Sequence, residues 1–209
     1  MAVLTRIETP VGIIIASSDG QSLTGLWFEG QKYECSFVEN PVWDDSLPLW
    51  KRVQEALEAY FQGEGDIVST VPIAFAGGTP FQKTVWTVLT EIPFQTVWTY
   101  KEVAERVDEK LGRKTSSRAV GTAIGRNPIS LFVPCHRVVA TTGALTGYAG
   151  GVGRKRALLT LEGHCVTEDK VLKGKTERGT RICATRSGES FNQRSDLRLS
   201  IFRNAPRSK

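Results

Sequence analysis

The feature that most constrains this chain is an apolar stretch, residues 129–139, that carries a cysteine, a histidine and an arginine at its centre. A run of this kind, rich in β-branched and aromatic residues and interrupted by Pro134, predicts a buried strand that brings the Cys135 thiol to the edge of a core. A thiol is a nucleophile only as the thiolate, which needs a base or a positive charge nearby, and His136 and Arg137 are candidates for these roles. The alternative is that Cys135 is a small apolar core residue beside a hydrogen-bonded histidine.

Composition limits the classes of protein to which the chain can belong. Its 209 residues, 40% of them apolar, suit one large or two small domains with a buried core. The sequence has no run of about 18 apolar residues that would predict a transmembrane helix, and residues 1–10 lack the pattern of a secretory signal. The cysteines, Cys35, Cys135, Cys165 and Cys183, have no paired spacing, so we expect reduced thiols in a cytoplasmic protein. With only two histidines, we expect no metal site.

Charge divides the chain into three parts. Residues 1–77 carry four Lys and Arg against 11 Asp and Glu, whereas residues 78–166 carry 12 against 6 and residues 167–209 carry 11 against 5. This asymmetry predicts that a polyanion contacts only the later parts, unless it is ordinary surface variation. We therefore expect an N-terminal domain over residues 1–77, a second domain over residues 78–166, and a basic tail over residues 167–209 whose composition predicts disorder.

The first domain is predicted to be α+β. Apolar runs predict three strands, at Val3–Thr9, Val11–Ser17 and Ser22–Phe28. A polar, proline-containing loop over residues 30–47 leads to a helix over residues 47–61, where apolar residues recur at helical spacing. Nothing in this domain has the pattern of a catalytic site.

The second domain is predicted to contain a helix-turn-helix. After a first helix, Thr99 and Glu102 form a capping box for a short helix over residues 100–107. A polar connection over residues 108–115 leads to a second helix, capped by Ser116 or the serine that follows it. Two short helices joined in a basic segment are typical of DNA-binding helix-turn-helix units.

The second helix of this unit is built largely from small residues. These are Ala119, Gly121, Thr122, Ala123 and Gly125. Because each helical glycine costs about 1 kcal/mol relative to alanine, we infer that another surface approaches this helix closely. A narrow groove is the candidate, with Arg118 projecting alone from the slim face. The alternative is tight packing of the glycines against the chain's own core.

The segment after the thiol predicts a pocket and a proton relay. Residues 143–153 are rich in glycine and include Tyr148, but they lack phosphate-loop spacing, so we expect the lip of a pocket. A last helix over residues 154–162 ends at Glu162, a carboxylate that can orient a histidine in a Cys–His–Glu relay. Because the cysteine and the histidine are adjacent, their side chains diverge, and we expect a bridging water between them.

The stretch 134–139, Pro-Cys-His-Arg-Val-Val, resembles the active-site signature of the methylated-DNA–protein-cysteine methyltransferases, the 6-O-alkylguanine–DNA alkyltransferases. Ordered and correctly spaced motifs extend the resemblance from about residue 79 to residue 164. They are Thr79-Pro80-Phe81-Gln82, Thr99-Tyr100, Ser117-Arg118-Ala119-Val120-Gly121, Asn127-Pro128, Thr146-Gly147-Tyr148-Ala149-Gly150-Gly151 and Leu161-Glu162-Gly163. The run at 146–151 is most similar to the constitutive bacterial members.

The resemblance implies an α+β fold, with a ribonuclease-H-like first domain and a winged-helix (helix-turn-helix) alkyltransferase domain. It implies a DNA repair reaction in which the Cys135 thiolate takes the alkyl group from 6-O-alkylguanine, with 4-O-alkylthymine as a candidate second substrate, after the base has rotated out of the duplex. A thioether is permanent, so each molecule would act once and need no cofactor. The partner would be double-stranded DNA, contacted through its minor groove by a cytoplasmic monomer.

The resemblance also implies roles for single residues in the chemistry. His136 would act as a base toward Cys135 through a water molecule. Glu162 would hold that histidine in place, and Asn127 would tie the helix-turn-helix to the cysteine segment. Tyr100 would donate a hydrogen bond to the leaving guanine.

Further residues are implied to form the pocket and to contact the DNA. The carbonyls of Cys135 and Val138 would accept from the exocyclic amine of the base. Tyr148 and Ala149 would wall the pocket, the alanine standing where some relatives have a hydroxyl residue. Arg118 would fill the gap left by the rotated nucleotide. The other residues expected at the DNA are Tyr100, Lys101, Ser117 and Gly121.

Two other classes of function fit parts of the same sequence. A non-catalytic lesion sensor or regulator on the same fold would bind alkylated DNA without transfer, although sensors of this type lack the thiol that Cys135 provides. An unrelated cysteine hydrolase would use Cys135, His136 and Glu162 for repeated turnover. The basic tail over residues 167–209 is a further candidate for contact with DNA.

Overall fold

The computed structural model describes residues 1–172 and, beyond them, the backbone of three short antiparallel strands. These strands are Lys175–Glu177, Thr180–Ala184 and Ser190–Phe191. The rest of the basic tail, for which the sequence predicts disorder, lies outside the described residues. Within the described part, no helix has the length and apolar content that crossing a membrane requires.

The first domain is built on a four-stranded sheet. Its strands are β1 (Ala2–Thr9), β2 (Gly12–Ser18), β3 (Leu23–Phe28) and β4 (Pro41–Trp43), in the order β3-β2-β1-β4. The three predicted strands are confirmed and pair antiparallel in sequence order. The sequence predicts a loop where the structure has β4, and this prediction is wrong. The strand leaves no sequence signal because it consists of three exposed residues and pairs in parallel with β1, which lies far away in sequence.

Helix α1 (Pro48–Gln62) packs its apolar face into the same core as the sheet, as predicted. Its buried side chains recur every three or four residues and are Leu49, Trp50, Val53, Ala56, Leu57, Tyr60 and Phe61. The helix ends at Gly63, whose φ of +77° is a left-handed conformation that glycine adopts without strain. The core continues into the second domain, since Leu23 and Trp86 belong to one buried cluster. The two domains therefore pack against each other through apolar side chains.

The second domain contains the predicted helix-turn-helix. Its first elements are α2 (Pro80–Leu89), β5 (Trp98–Thr99), α3 (Tyr100–Leu111) and α4 (Ser117–Ile124). The capping box of Thr99 and Glu102 is confirmed, and Ser116 caps α4 by accepting from the amide of Ala119. Helix α3 runs beyond its predicted end because Leu111 still packs against the core. The connection to α4 is correspondingly short.

The segment that leads to the cysteine is buried as predicted, but it is not a strand. It enters a 3₁₀ turn at Cys135–Arg137, and β6 (Val138–Val139) then pairs in parallel with β5. Leu131 has a φ of +69°, which interrupts extended geometry. A single bridge joins Ile129 to Leu26 of β3, and beyond it local turns and the side chain of Asn127 satisfy the backbone groups that a neighbouring strand would otherwise have paired. The apolar pattern predicts the burial of this segment correctly. It does not reveal that the side chain of Asn127 takes over backbone hydrogen bonds that a neighbouring strand would make.

The end of the second domain brings Glu162 into the core. Helix α5 (Val152–Leu161) is followed directly by this carboxylate, which is fully buried. The chain then turns back, because the amide of Leu145 donates to the carbonyl of Asp169 and the amide of Val171 donates to the carbonyl of Gly143. The first residues of the predicted tail therefore pair with the glycine-rich loop.

The cysteines differ from the prediction that all are reduced. Cys165 is disulfide-bonded, whereas Cys35 and Cys135 are free thiols. Cys135 therefore keeps the free thiol that nucleophilic chemistry requires.

Candidate active site and DNA-facing helix

The side chain of Asn127 connects the end of α4 to the cysteine. Its Oδ1 accepts from the amide of Ile129 at 3.0 Å, and its Nδ2 donates to the carbonyl of Val133 at 2.8 Å. The same Nδ2 donates to Sγ of Cys135 at 3.0 Å. One buried amide thus fixes the turn before the thiol and supplies a donor to the sulfur itself, which favours the thiolate.

The thiol of Cys135 is nearly buried, with 7% of the residue exposed. Burial raises the pKa of Cys135, while the hydrogen bond from Asn127 and the charge of Lys155 lower it. The thiol therefore rests largely protonated and needs a base when it reacts. The sequence-based interpretation assigned the nearby positive charge to Arg137, but the structure assigns it to Lys155.

The next residue, His136, is completely buried and is held by Glu162. Its Nε2 lies 2.8 Å from Oε1 of Glu162. Burial raises the pKa of Glu162, but its contacts with His136 and Arg137 outweigh this and set the pKa at about 2. An ionised carboxylate only accepts hydrogen bonds, so Nε2 must carry the hydrogen.

The other ring nitrogen of His136 is therefore free to act as a base. Nδ1 is buried and has no hydrogen-bond partner among the described residues. Burial lowers the pKa of His136, although Glu162 opposes this, so the imidazole is neutral at pH 7. A neutral imidazole with a lone pair on Nδ1 can take a proton from a neighbouring group.

Arg137 joins the relay to the first domain. Its Nε donates to Oε2 of Glu162 at 3.0 Å, and its Nη2 donates to Oδ1 of Asp66 at 3.2 Å. Its Nη1 donates to the carbonyl of Ile92 at 2.8 Å. Because the guanidinium is fully buried, these carboxylates compensate its charge, and its charge does not serve the thiol.

Lys155 is a site residue that the sequence-based reasoning missed. It is fully buried on α5, and its Nζ donates to the carbonyls of Val138 and Thr146. Burial lowers the pKa of Lys155 to about 8, while Cys135 acts to raise it. A signal was available, because Lys155 lies at helical spacing from the apolar Leu158 and Leu159, and so on the buried face of α5.

The carbonyl of Val138, expected to accept from the base, thus already accepts from Lys155. A carbonyl oxygen has two lone pairs, so a second donor can still bind. Among the described residues, no cluster of three His, Cys, Asp or Glu side chains forms a metal site.

The lip of the pocket is formed by the glycine-rich loop and by Tyr100. The hydroxyl of Tyr100 donates to the carbonyl of Thr146 at 3.0 Å. The ring of Tyr148 packs edge-on against Phe28 of the first domain with a centroid separation of 6.4 Å, and its hydroxyl is buried. The carbonyl of Ala149 accepts from the amide of Lys32 at 3.3 Å. These contacts let the first domain support the loop expected to wall the pocket.

Helix α4 presents a slim, exposed face with Arg118 on it. The exposed residues of this face are Ser117, Arg118, Ala119 and Thr122. A Cβ at Gly121 would lie 3.6 Å from the ring of Tyr100, and one at Gly125 would lie 3.5 Å from the nearest carbonyl oxygen. Both are ordinary contact distances, so the chain's own core does not require glycine there. Lys101, also exposed, pairs loosely with Glu105 at 3.7 Å.

Two family models match the chain over most of its described length. The ribonuclease-like domain of 6-O-methylguanine DNA methyltransferase matches residues 3–75, and the DNA binding domain of 6-O-methylguanine DNA methyltransferase matches residues 80–164. The chain belongs to this family. The predicted α+β fold, a ribonuclease-like domain followed by a DNA-binding domain, is therefore confirmed.

Other members of the methyltransferase family support the assignment along the whole chain up to the tail. The methylated-DNA–protein-cysteine methyltransferase of Haemophilus influenzae is 41% identical over 160 residues, 76% of this chain and 84% of the relative. That of Methanosarcina acetivorans is 40% identical over 159 residues, 76% of this chain and 96% of the relative. The crystal structure of Mycobacterium tuberculosis OGT in complex with DNA is 37% identical, with a TM-score of 0.67 over 77% of this chain and 92% of that one.

Proposed function

We propose that this protein repairs alkylated DNA by moving the alkyl group of 6-O-alkylguanine onto the sulfur of Cys135, once per molecule. Membership of the methylated-DNA–protein-cysteine methyltransferase family supports the reaction class. One observation supports the assignment of the residues. A buried free thiol, hydrogen-bonded by Asn127, precedes a neutral histidine whose Nε2 is held by an ionised carboxylate and whose Nδ1 has no partner among the described residues.

The transfer begins with removal of the thiol proton. In this proposal Nδ1 of His136 takes the proton of Cys135 through a water molecule, and Glu162 stabilises the resulting imidazolium. Asn127 and Lys155 stabilise the negative charge that develops on sulfur. The thiolate then attacks the alkyl carbon, so a sulfur–carbon bond forms as the carbon–oxygen bond breaks.

The electron pair of the broken bond goes to the oxygen of guanine. The base takes up a proton to become ordinary guanine, which balances the proton lost by the thiol. Tyr100 donates a hydrogen bond to the leaving base, and for this its hydroxyl must exchange its bond to the carbonyl of Thr146 for one to the base. Tyr148, Ala149 and the carbonyls of Cys135 and Val138 line the pocket for the rotated base.

Duplex DNA is bound by the helix-turn-helix in this proposal. The slim face of α4 enters the minor groove, with Ser117 and Gly121 against the backbone and Arg118 in place of the rotated nucleotide. Lys101 contributes a phosphate contact at the start of α3. The excess of Lys and Arg over residues 78–166 supports binding that depends on salt and little on sequence.

The product explains why each molecule would act once. A thioether on Cys135 is not hydrolysed by water or by His136. The reaction needs a reduced thiol, and Cys135 is free. All residues proposed for the reaction come from one chain, so a monomer suffices. Acceptance of 4-O-alkylthymine is part of the same proposal, since the attacked carbon is chemically equivalent.

Transfer from labelled DNA tests the proposal directly. Duplex DNA carrying 6-O-[methyl-³H]methylguanine is expected to label the wild-type protein at one equivalent, and Cys135→Ala is expected to stay unlabelled because the attacking sulfur is gone. Cys35→Ala, which removes the other free thiol of the described residues, serves as the matched control and should be labelled like the wild type. Binding of the DNA without transfer of label would indicate a lesion sensor. Repeated turnover of ester or peptide substrates would indicate a hydrolase.

A further inference from the structure

Tyr60 belongs to the first domain, yet its hydroxyl reaches the centre of the relay in the second. It lies on α1, and its hydroxyl donates to Oε1 of Glu162 at 2.8 Å. The same hydroxyl oxygen lies 3.3 Å from Nε2 of His136. Tyr60 is only 1% exposed, so bulk water does not compete for these bonds.

The hydrogens in this cluster can be arranged in one consistent way. Because ionised Glu162 only accepts, the hydroxyl hydrogen of Tyr60 and the Nε2 hydrogen of His136 must both point at it. The hydroxyl oxygen of Tyr60 then turns its lone pairs toward Nε2, so the histidine hydrogen lies between two acceptors. In the other tautomer, the Nε2 lone pair would face the carboxylate at 2.8 Å and one hydrogen bond would be lost.

We propose that Tyr60 is a positioning residue that keeps His136 in the tautomer with its hydrogen on Nε2 and its lone pair on Nδ1. The consequence for catalysis rests on the function proposed above, in which Nδ1 takes the thiol proton. The first domain thereby contributes a side chain to the proton relay, in addition to supporting the pocket.

The hydroxyl can be tested apart from the ring. The ring of Tyr60 packs edge-on against Phe94 with a centroid separation of 6.3 Å and against the ring of His136 with one of 6.4 Å. Tyr60→Phe keeps these ring contacts and removes only the hydroxyl. Ser17→Ala is the matched control, because it removes the hydroxyl that pairs with Thr24 at 2.9 Å, also buried in the first domain but absent from the relay.

The direction in which the pKa of His136 changes in Tyr60→Phe follows from the loss of the hydroxyl that donates to Glu162. Glu162, Arg137 and Lys155 are the charged groups that act on this imidazole, and all three remain in Tyr60→Phe. Without the hydroxyl, Glu162 shares its charge with one donor fewer and stabilises the imidazolium more strongly. The pKa of His136 is therefore expected to rise in the variant. The Nε2 hydrogen also loses its second acceptor, the oxygen of Tyr60, so its position is then set by Glu162 alone.

Nitrogen-15 NMR of the imidazole rings measures both quantities in the full-length protein. The chain has two histidines, so the signals are few, and a His164→Gln variant assigns them. In the wild type we expect the hydrogen of His136 on Nε2. In Tyr60→Phe we expect a higher pKa of His136 and an acid limb of the single-turnover transfer rate displaced upward to the same extent, so that the rate falls at acidic pH, where the imidazole of the variant is already protonated. Ser17→Ala should change neither the pKa nor the acid limb.

Two outcomes would overturn the proposal. One is a hydrogen on Nδ1 of His136 in the wild type, a measurement that needs no variant. The other is a folded Tyr60→Phe protein whose His136 tautomer, pKa and acid limb equal those of the wild type, which would leave Tyr60 a packing residue. A wild type that transfers no alkyl group would instead refute the proposed function, and the NMR result on Tyr60 would still stand.

Discussion

At the scale of single residues, Lys155 shows how a buried charge can serve a thiol. Its ammonium group is fully buried and bound to two backbone carbonyls rather than to a carboxylate. Its charge is thus not cancelled by a salt bridge, and it lowers the pKa of Cys135 against the opposing effect of burial. The pKa of Lys155, about 8, means that this help weakens in mildly alkaline solution.

Lys155→Met is therefore expected to slow alkyl transfer by about tenfold at pH 7, equivalent to a rise of roughly one unit in the pKa of the thiol. Methionine fills similar space without the charge. Because wild-type Lys155 loses its proton above about pH 8, the ratio of the two rates should shrink as the pH rises to 9.5. Single-turnover rates across this range measure it.

The neighbouring Arg156→Met variant is the control, since Arg156 is exposed on the same helix and should leave the rate unchanged. A rate ratio between wild type and Lys155→Met that stays constant from pH 6.5 to 9.5 would show that Lys155 supports the loop and not the thiolate.

At the scale of elements, the small residues of α4 give it a slim surface, and Gly121 makes the helix intrinsically less stable than alanine would. Neither Gly121 nor Gly125, which directly follows the helix, is required by crowding from the rest of the chain. Crowding within the chain does not explain these glycines, whereas the proposed approach of the minor groove would.

Gly121→Ala is expected to stabilise the protein by up to about 1 kcal/mol, because alanine is the better helix former, and to weaken binding to duplex DNA by about tenfold. Urea unfolding and DNA titration at fixed salt measure the two effects. Gly153→Ala on α5, where an added Cβ meets nothing within 4 Å, should bring a comparable gain in stability with unchanged binding. DNA binding of Gly121→Ala as tight as that of wild type would contradict the groove assignment.

The elements that the sequence predicted are those whose signals are local. The capping box of Thr99 and Glu102 and the three strands follow from neighbouring residues, and the structure contains them. The segment before Cys135 was predicted as a strand, because burial was visible but the amide of Asn127 that completes its hydrogen bonds was not. β4 was missed because its partner, β1, lies far away in sequence.

The sequence likewise predicts those residues of the candidate site that stand in motifs, but not those that come from the other domain. Cys135, His136 and Glu162 stand in motifs, and the structure brings the histidine and the carboxylate into contact. Tyr60 and Asp66 come from the other domain, and only packing brings them to the relay. No spacing rule within the sequence could have paired residues so far apart.

At the scale of the whole molecule, the relay couples protonation to folding. The unfolded chain exposes His136 with an ordinary pKa near 6.5, whereas burial lowers that pKa in the folded protein. The unfolded state then binds more protons below pH 6.5, so the contribution to stability is complete above that pH and is lost as the pH falls. Glu162, with a folded pKa of about 2, keeps its own contribution until the pH drops below 4.5.

The free energy of unfolding is accordingly expected to fall as the pH drops below 6.5, by at most about 1.4 kcal/mol per pH unit because of His136. Urea unfolding at several pH values measures the slope for wild type and for His136→Gln, whose amide can still donate to Glu162. The variant should have a smaller slope in this window. Parallel curves, differing by a constant at every pH, would mean that His136 is protonated equally in both states.

The carbonyl of Thr146 receives hydrogens from both Tyr100 and Lys155. Two donors that share one acceptor each hold it less firmly than either would alone. In the proposed reaction a bound base takes the hydrogen bond of Tyr100, which would leave the ammonium group of Lys155 as the one donor to that oxygen among the described residues and raise the pKa of Lys155. Because the charge of Lys155 favours the thiolate of Cys135, the proposed binding of an alkylated base would itself lower the pKa of the thiol that attacks it.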